Sequence, residues 1–239
     1  FRVVHSRANR GPFLVDSYAN FLWDREGRPT PGHMQFNGQK NLDLLTMNMF
    51  EVGYRIKPTK NIQADFEVFY NITNDYGALY PDSVSMFGYQ NSGRAFVNLT
   101  YSNISLQSNQ VGLTGMVNWI INKDLKFKIF GTYQQTSLTD SPKLSPDEAT
   151  QIMIITAGTG SGTSIEVPQS TESTTNKATP SYYGGLILDY DFKDKLYINT
   201  NTYFYGKQTF SSKYGTEEID SKIILNLKVS YKVHSYVTL

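Results

Sequence analysis

Successive stretches of this chain alternate apolar and polar residues with a period of two, and the connections joining them are by turns short and long. Period two is the side-chain repeat of a β-strand, because successive Cβ atoms leave opposite faces of the pleat. Ile62, Ala64, Phe66, Val68 and Tyr70 fall on one face, with Gln63, Asp65, Glu67 and Asn71 on the other beside Phe69. Leu125, Phe127, Ile129 and Tyr133 likewise oppose Lys126, Lys128, Thr132 and Gln134, and Leu225, Leu227, Val229 and Tyr231 oppose Asn226, Lys228 and Ser230. Further strands are expected at 47–56, 111–121, 182–190 and 196–205, another at 1–8, and the opening of one more at 236–239.

Short turns are read at 57–60, 122–124, 191–195 and 232–235, and long loops at 11–45, 73–110, 137–181 and 206–221. Strict alternation of this kind puts every second connection on the same side, as in an antiparallel up-and-down transmembrane β-barrel with tight periplasmic turns and long outer loops. The hairpins at Pro58, Lys123 and Lys193 are then expected on the periplasmic side and the loop around Gly160 outside. Tyr54, Trp119, Tyr190 and Tyr231 stand on the apolar face close to a short turn, where an aromatic girdle meets lipid headgroups. A soluble β-sandwich is the competing architecture, but its core is usually richer in Val, Leu and Ile and gives no reason for long loops at one end only.

Composition agrees with strands, since 17 Tyr and 14 Phe bring the aromatic share to 14%. The 22 basic and 21 acidic residues leave a net charge of +1, which is no footprint for nucleic acid. Without cysteine there is neither a disulfide scaffold nor a thiolate metal site. No run approaches the roughly 18 apolar residues of a spanning helix. The chain opens at Phe1 with neither Met nor a signal peptide, and is expected to be a mature or trimmed piece of a longer protein.

Chemistry is sparse. His5, His33 and His234 lie far apart with no metal-ligand spacing, and no nucleophile elbow occurs. The glycine cluster from Ala157 to Thr163 lacks the lysine of a phosphate-binding loop and reads as a mobile surface loop. No catalytic, cofactor or metal residue is assigned, and the chain is not read as an enzyme. Glu51, Arg55, Asp65, Glu67, Lys126, Lys128, Asp189 and Lys228 mix both signs on the polar face, as on a wet lumen wall that bonds water or an internal domain. Tyr18, Phe21 and Trp23 are candidate ligand aromatics in the first long loop.

Several of these stretches resemble one family. The segment from Phe1 to Leu14, with Arg7-Ala8-Asn9-Arg10-Gly11-Pro12, resembles the R-A-x-R-x-P segment that ends a strand in TonB-dependent outer-membrane receptors. Met49 to Arg55 looks like that family's Y-E-x-G-x-R strand, and Ala64 to Asn71 is similar to its x-x-F-Y-N strand. Gln110 to Thr114, Ser181 to Leu186 and Lys222 to Tyr231 match later strands in order. The resemblance implies that residues 1–239 are the C-terminal portion of the transmembrane barrel domain, about eight to nine strands of a barrel of roughly 22, with plug domain and TonB box absent from this chain. It further implies bacterial outer-membrane localisation and TonB-powered uptake of a scarce nutrient such as siderophore-iron, cobalamin or an oligosaccharide. The implied partners are outer-membrane lipid, the plug, the TonB complex and that ligand. A passive porin-like channel and a soluble carbohydrate-binding or adhesin β domain are the alternatives.

Overall fold

The computed structural model describes residues 1–24, 32–87, 94–142, 163–164, 169–170, 174–212, 215–234 and 237–238. The glycine-rich segment with Gly160 and Ser161 lies outside the described residues. In chain order the elements are β1 (Arg2–Arg10), α1 (Leu14–Tyr18), β2 (Asn20–Asp24), β3 (Gly32–Asn37), β4 (Leu45–Thr59), β5 (Ile62–Asn74), β6 (Tyr76–Phe87), β7 (Arg94–Ile104), β8 (Gln107–Ile120) and β9 (Leu125–Thr139). They continue with β10 (Ser141–Pro142), β11 (Thr163–Ser164), β12 (Gln169–Ser170), β13 (Thr174–Asn176), β14 (Tyr182–Phe192), β15 (Leu196–Tyr205), β16 (Gln208–Ser212), β17 (Gly215–Ile219), β18 (Lys222–His234) and β19 (Val237–Thr238).

One antiparallel sheet runs β1-β4-β5-β8-β9-β14-β15-β18-β19, with β13 added beside β9. It holds every strand expected from the alternation, in sequence order, the last as a short opening only. It is open, with β1 and β19 at its two edges. No helix among the described residues is long and apolar enough to cross a membrane.

The tight turns have local causes. Asn122 Oδ1 accepts hydrogen bonds from the N–H groups of Asp124 and Leu125 at 2.8 and 2.9 Å, an Asx turn between β8 and β9. Lys193 and Asp194 both take left-handed backbone, with φ of 54° and 53°. They form the central pair of a type I′ turn that the Lys195 N–H closes onto the Phe192 carbonyl at 3.1 Å.

The long connections are not the bare loops expected. The first carries α1, β2 and β3, the second the β6–β7 hairpin, and the fourth the β16–β17 hairpin. β3 pairs parallel with β7, which joins the first two connections into one sheet, and β11 of the third connection adds a fifth strand to give the order β11-β6-β7-β3-β2. Such a pairing between distant segments leaves no local trace, and Pro81 interrupts the register of β6. The sequence reading also passed over the alternation on β7, where Val97, Leu99 and Tyr101 are spaced by Asn98 and Thr100. On β16–β17, Glu218 Oε2 lies 2.6 Å from Lys207 Nζ, and this hydrogen bond holds the ammonium above its ordinary pKa. The pair's contribution is complete below the ordinary lysine value and lost only as pH rises through the raised one.

Register carries the two faces unbroken across the main sheet. Residues directly opposite share a face, so Tyr54–Phe66–Gly115–Gly131–Gly184–Phe204–Ile223 is one apolar-face row across seven strands. Within it the Phe66 ring lies over Gly115, and a Cβ at Gly184 would meet Phe204 Cζ at 2.7 Å. Two rings thus fill the trough that three glycines leave. On the other face Phe69 covers Gly112 and Phe130 covers Gly185 in the same manner.

Polarity is inverted relative to a protein that folds in water. Ala64 is the one buried hydrophobic side chain among the described residues, whereas Thr46, Thr132, Gln134 and Thr136 are buried polar ones. Phe66 is 45% and Leu227 65% exposed, with Phe50, Val52, Val68, Leu113, Ile129, Leu225 and Val229 similarly open. Leaving such side chains in water forgoes about 1.5–3 kcal/mol each, so this face is stable against lipid and the soluble sandwich is excluded.

The apolar stretch has the same length on β5 (Ile62 to Tyr70), β9 (Leu125 to Tyr133), β14 (Tyr182 to Tyr190) and β18 (Ile223 to Tyr231). Eight rises give about 27 Å along the strand, or about 21 Å along the membrane normal at a tilt of about 40°, and the terminal rings extend it toward the roughly 25 Å apolar band of such barrels. Leu227 sits at the centre of its stretch. Leu227→Arg is expected to lower folding stability in lipid vesicles by about 2–4 kcal/mol, and Asn226→Arg on the opposite face by less than about 1 kcal/mol. Urea titration of both variants checks this, and equal losses would contradict the facing.

Candidate functional site

The polar face is the candidate site, and its pattern has two zones. Near the short turns it is charged. Arg2 on β1 reaches across Gly53 on β4, where a Cβ would stand 3.2 Å from its Nε, to pair with Glu67 on β5 at 2.6 Å. The same guanidinium pairs with Glu51, whose side chain is only 11% exposed. Arg55 pairs with Asp65, which also accepts a hydrogen bond from Gln63 Nε2 at 3.0 Å.

Farther round the sheet, Lys126 stands opposite Asp189 in the register and Asn199 opposite Lys228. Asp189 Oδ1 accepts hydrogen bonds from Tyr197 Oη and Asn199 Nδ2, both at 2.7 Å. Lys228 Nζ lies 5.9 Å from the centre of the Tyr197 ring, and Lys128 Nζ lies 5.8 Å from that of Phe130. Register puts all eight charged residues singled out in the sequence on this one face.

Toward the long connections the same face turns neutral. Asn71 Nδ2 donates to Gln110 Oε1 at 2.9 Å, and Gln110 Nε2 donates to Gln134 Oε1 and Thr136 Oγ1 at 3.2 and 3.3 Å. Gln134 Nε2 continues to the Pro180 carbonyl at 3.2 Å, and the Thr114 and Thr132 hydroxyls are 3.0 Å apart. Among the described residues no three metal-ligating side chains cluster. Chemically this face presents hydrogen-bonding groups and ion pairs of both signs.

The aromatic candidates divide. Tyr54, Trp119 and Tyr231 are exposed on the apolar face near the short turns, while Tyr190 is half-buried there with its ring 6.1 Å from that of Phe192. At the far end of the apolar stretch Phe50, Tyr70, Tyr133 and Tyr182 form a second, exposed aromatic tier that the sequence reading missed. In the first long connection Phe21 and Trp23 share a face of β2, and Phe21 stacks on Phe36 with centroids 4.6 Å apart. Tyr18 lies apart from them on α1, with Lys40 Nζ 5.6 Å from its ring centre.

This backbone has solved counterparts. The siderophore receptor PirA from Acinetobacter baumannii superposes with a TM-score of 0.61 at 16% identity, over 97% of this chain and 32% of that one. The ferric enterobactin receptor PfeA in complex with BCV-L6 gives 0.63 at 18% identity, over 99% and 31%. The FrpB iron transporter from Neisseria meningitidis (F3-3 variant) gives 0.55 at 12% identity, over 96% and 29%. The fold matches a segment of these receptors' barrels. At these identities the fold is what is shared, and this chain spans about a third of the length of those it matches. No family model and no curated protein matches the sequence.

Within this barrel segment, Arg2 and Gln110 are the polar-face members that sequence reading overlooked, and the bonds that link Asn71 and Gln134 through Gln110 appear only in the structure. The signal for Arg2 was the register of β1, which no local pattern supplies because Val3, Val4 and His5 do not alternate in polarity. Arg2→Ala is expected to cost about 1–3 kcal/mol by leaving Glu51 and Glu67 without their shared cation. Adding Glu51→Gln should recover about half or more of that loss, since the cost resides in the unpaired carboxylate. Chemical denaturation of both variants in vesicles measures the difference, and a purely additive double variant would contradict the clamp.

Proposed function

We propose that the chain is the C-terminal part of the barrel domain of an outer-membrane active transporter, powered through TonB, that takes up a scarce nutrient. The observation that carries this reading is the polar face, where paired charges of both signs and an amide ladder offer grip to an internal plug domain. An open selective pore would favour one sign of charge at its constriction. The wall contacts to a plug are individually weak, near the roughly 0–1 kcal/mol of wet ion pairs, and act in number.

The short-turn rim with Lys123 and Lys193 faces the periplasm and the β2-β3-β6-β7 sheet faces outward, following the turn rule for this class. A ferric siderophore is the favoured substrate class, because the neighbours in fold include receptors for such ligands. Phe21 and Trp23 then belong to the capture surface.

The test uses the full-length protein. In planar bilayers it is expected to stay closed, and a knockout strain should lose growth on limiting ferric siderophore. Uptake should stop when a protonophore dissipates the proton gradient. A large, steady, voltage-independent conductance would sink the plugged transporter and promote a porin.

A further inference from the structure

Just beyond the second aromatic tier, the lipid-facing side of the sheet changes character. Continuing outward from the row of Phe50, Tyr70, Val111 and Gln135, the register places Asn48, Ile72, Asn109 and Ser137 in the next row. Thr46, Asn74, Gln107 and Thr139 follow above it. The side chains are linked: Tyr70 Oη donates to Asn109 Oδ1 at 3.0 Å, Asn109 Nδ2 to Gln107 Oε1 at 3.4 Å, and Gln107 Nε2 to Asn74 Oδ1 at 2.9 Å. A shallow hollow of about 430 Å³ opens here, lined by Tyr70, Asn109, Val111, Gln135 and Ser137. All five of these residues lie on the lipid-facing side.

We infer that this ledge binds the saccharide headgroup of a glycolipid in the outer leaflet. A lipid whose chains lie along Val68, Leu113 and Ile129 brings its headgroup to the height of the hollow, so the ledge continues the lipid-facing surface. Its lining offers amides and hydroxyls, each donating and accepting, beside the exposed Tyr133 ring, which suits sugar hydroxyls and the apolar face of a sugar ring. A phosphodiester would call for Arg or Lys. Among the described residues no cation lines the hollow: Arg7 on β1 stands three strands or about 14 Å from Asn109, and Lys177 follows Asn176, the partner of Thr136 on β9. The inference rests on the membrane orientation proposed above.

The test is native mass spectrometry of the detergent-purified full-length protein with three added probes: a phosphate-free diglucosamine glycolipid, phosphatidylglycerol and phosphatidylethanolamine. The glycolipid should be retained about tenfold more than either phospholipid, and Asn109→Leu with Gln135→Leu should abolish that preference, the loss of about two ordinary hydrogen bonds. Gln135→Leu alone, a change at an exposed position, should lower it part-way while heat-modifiable gel migration stays native. Equal retention of the three lipids, or unchanged preference in the double variant, overturns the inference. A Lys123→Cys variant that labels from outside intact cells would instead overturn the orientation beneath it, whereas a porin-like conductance would remove the transporter reading and leave the ledge standing.

Discussion

A strand surrounded by hydrocarbon has no water to satisfy its N–H and C=O groups, so every one must find a partner on a neighbouring strand. Between β1 and β18 the ladder runs without a break, with its one shift, between Ile56 and Thr59, at the rim, and among the described residues the outer edges of β1 and, apart from its short pairing with β19, of β18 stay open. Because the side-chain period is two, slipping any pair by one residue would turn charges into lipid and phenylalanines onto the polar wall. Pairing and facing are therefore one constraint, and it fixes the place of each side chain described above.

The two faces then solve opposite solvation problems. The apolar face needs no partners, and its glycine trough is filled by Phe66 and Phe204. The polar face brings charges close together, pairing Arg55 with Asp65 and setting Arg2 between two carboxylates over the space left by Gly53. Glycine serves both faces for the same reason, that a missing Cβ lets a neighbour's long side chain lie flat across the strand.

Beyond the membrane height the chain behaves differently. Connections free to meet water pair with one another, and the parallel β3–β7 contact ties the first long connection to the second. The Asn103 side chain accepts from the Asp43 N–H at 2.8 Å and donates to the Asp75 carbonyl at 3.2 Å, binding the same two connections near the rim. This gives Phe21 and Trp23 a sheet to stand on, a firmer base than an unstructured loop would be.

The main-sheet strands, their order and their facing were legible in the sequence, because a two-sided environment imposes period two on each strand and tight turns name its partner. The eight charged residues could be assigned to a common face for that reason alone. Arg2, the Gln110–Gln134 ladder and the parallel β3–β7 pair were not, since each depends on register between strands or on contact between segments far apart in the chain. Local alternation says which side of a strand a residue occupies, and only the tertiary structure decides which residue of the next strand it meets.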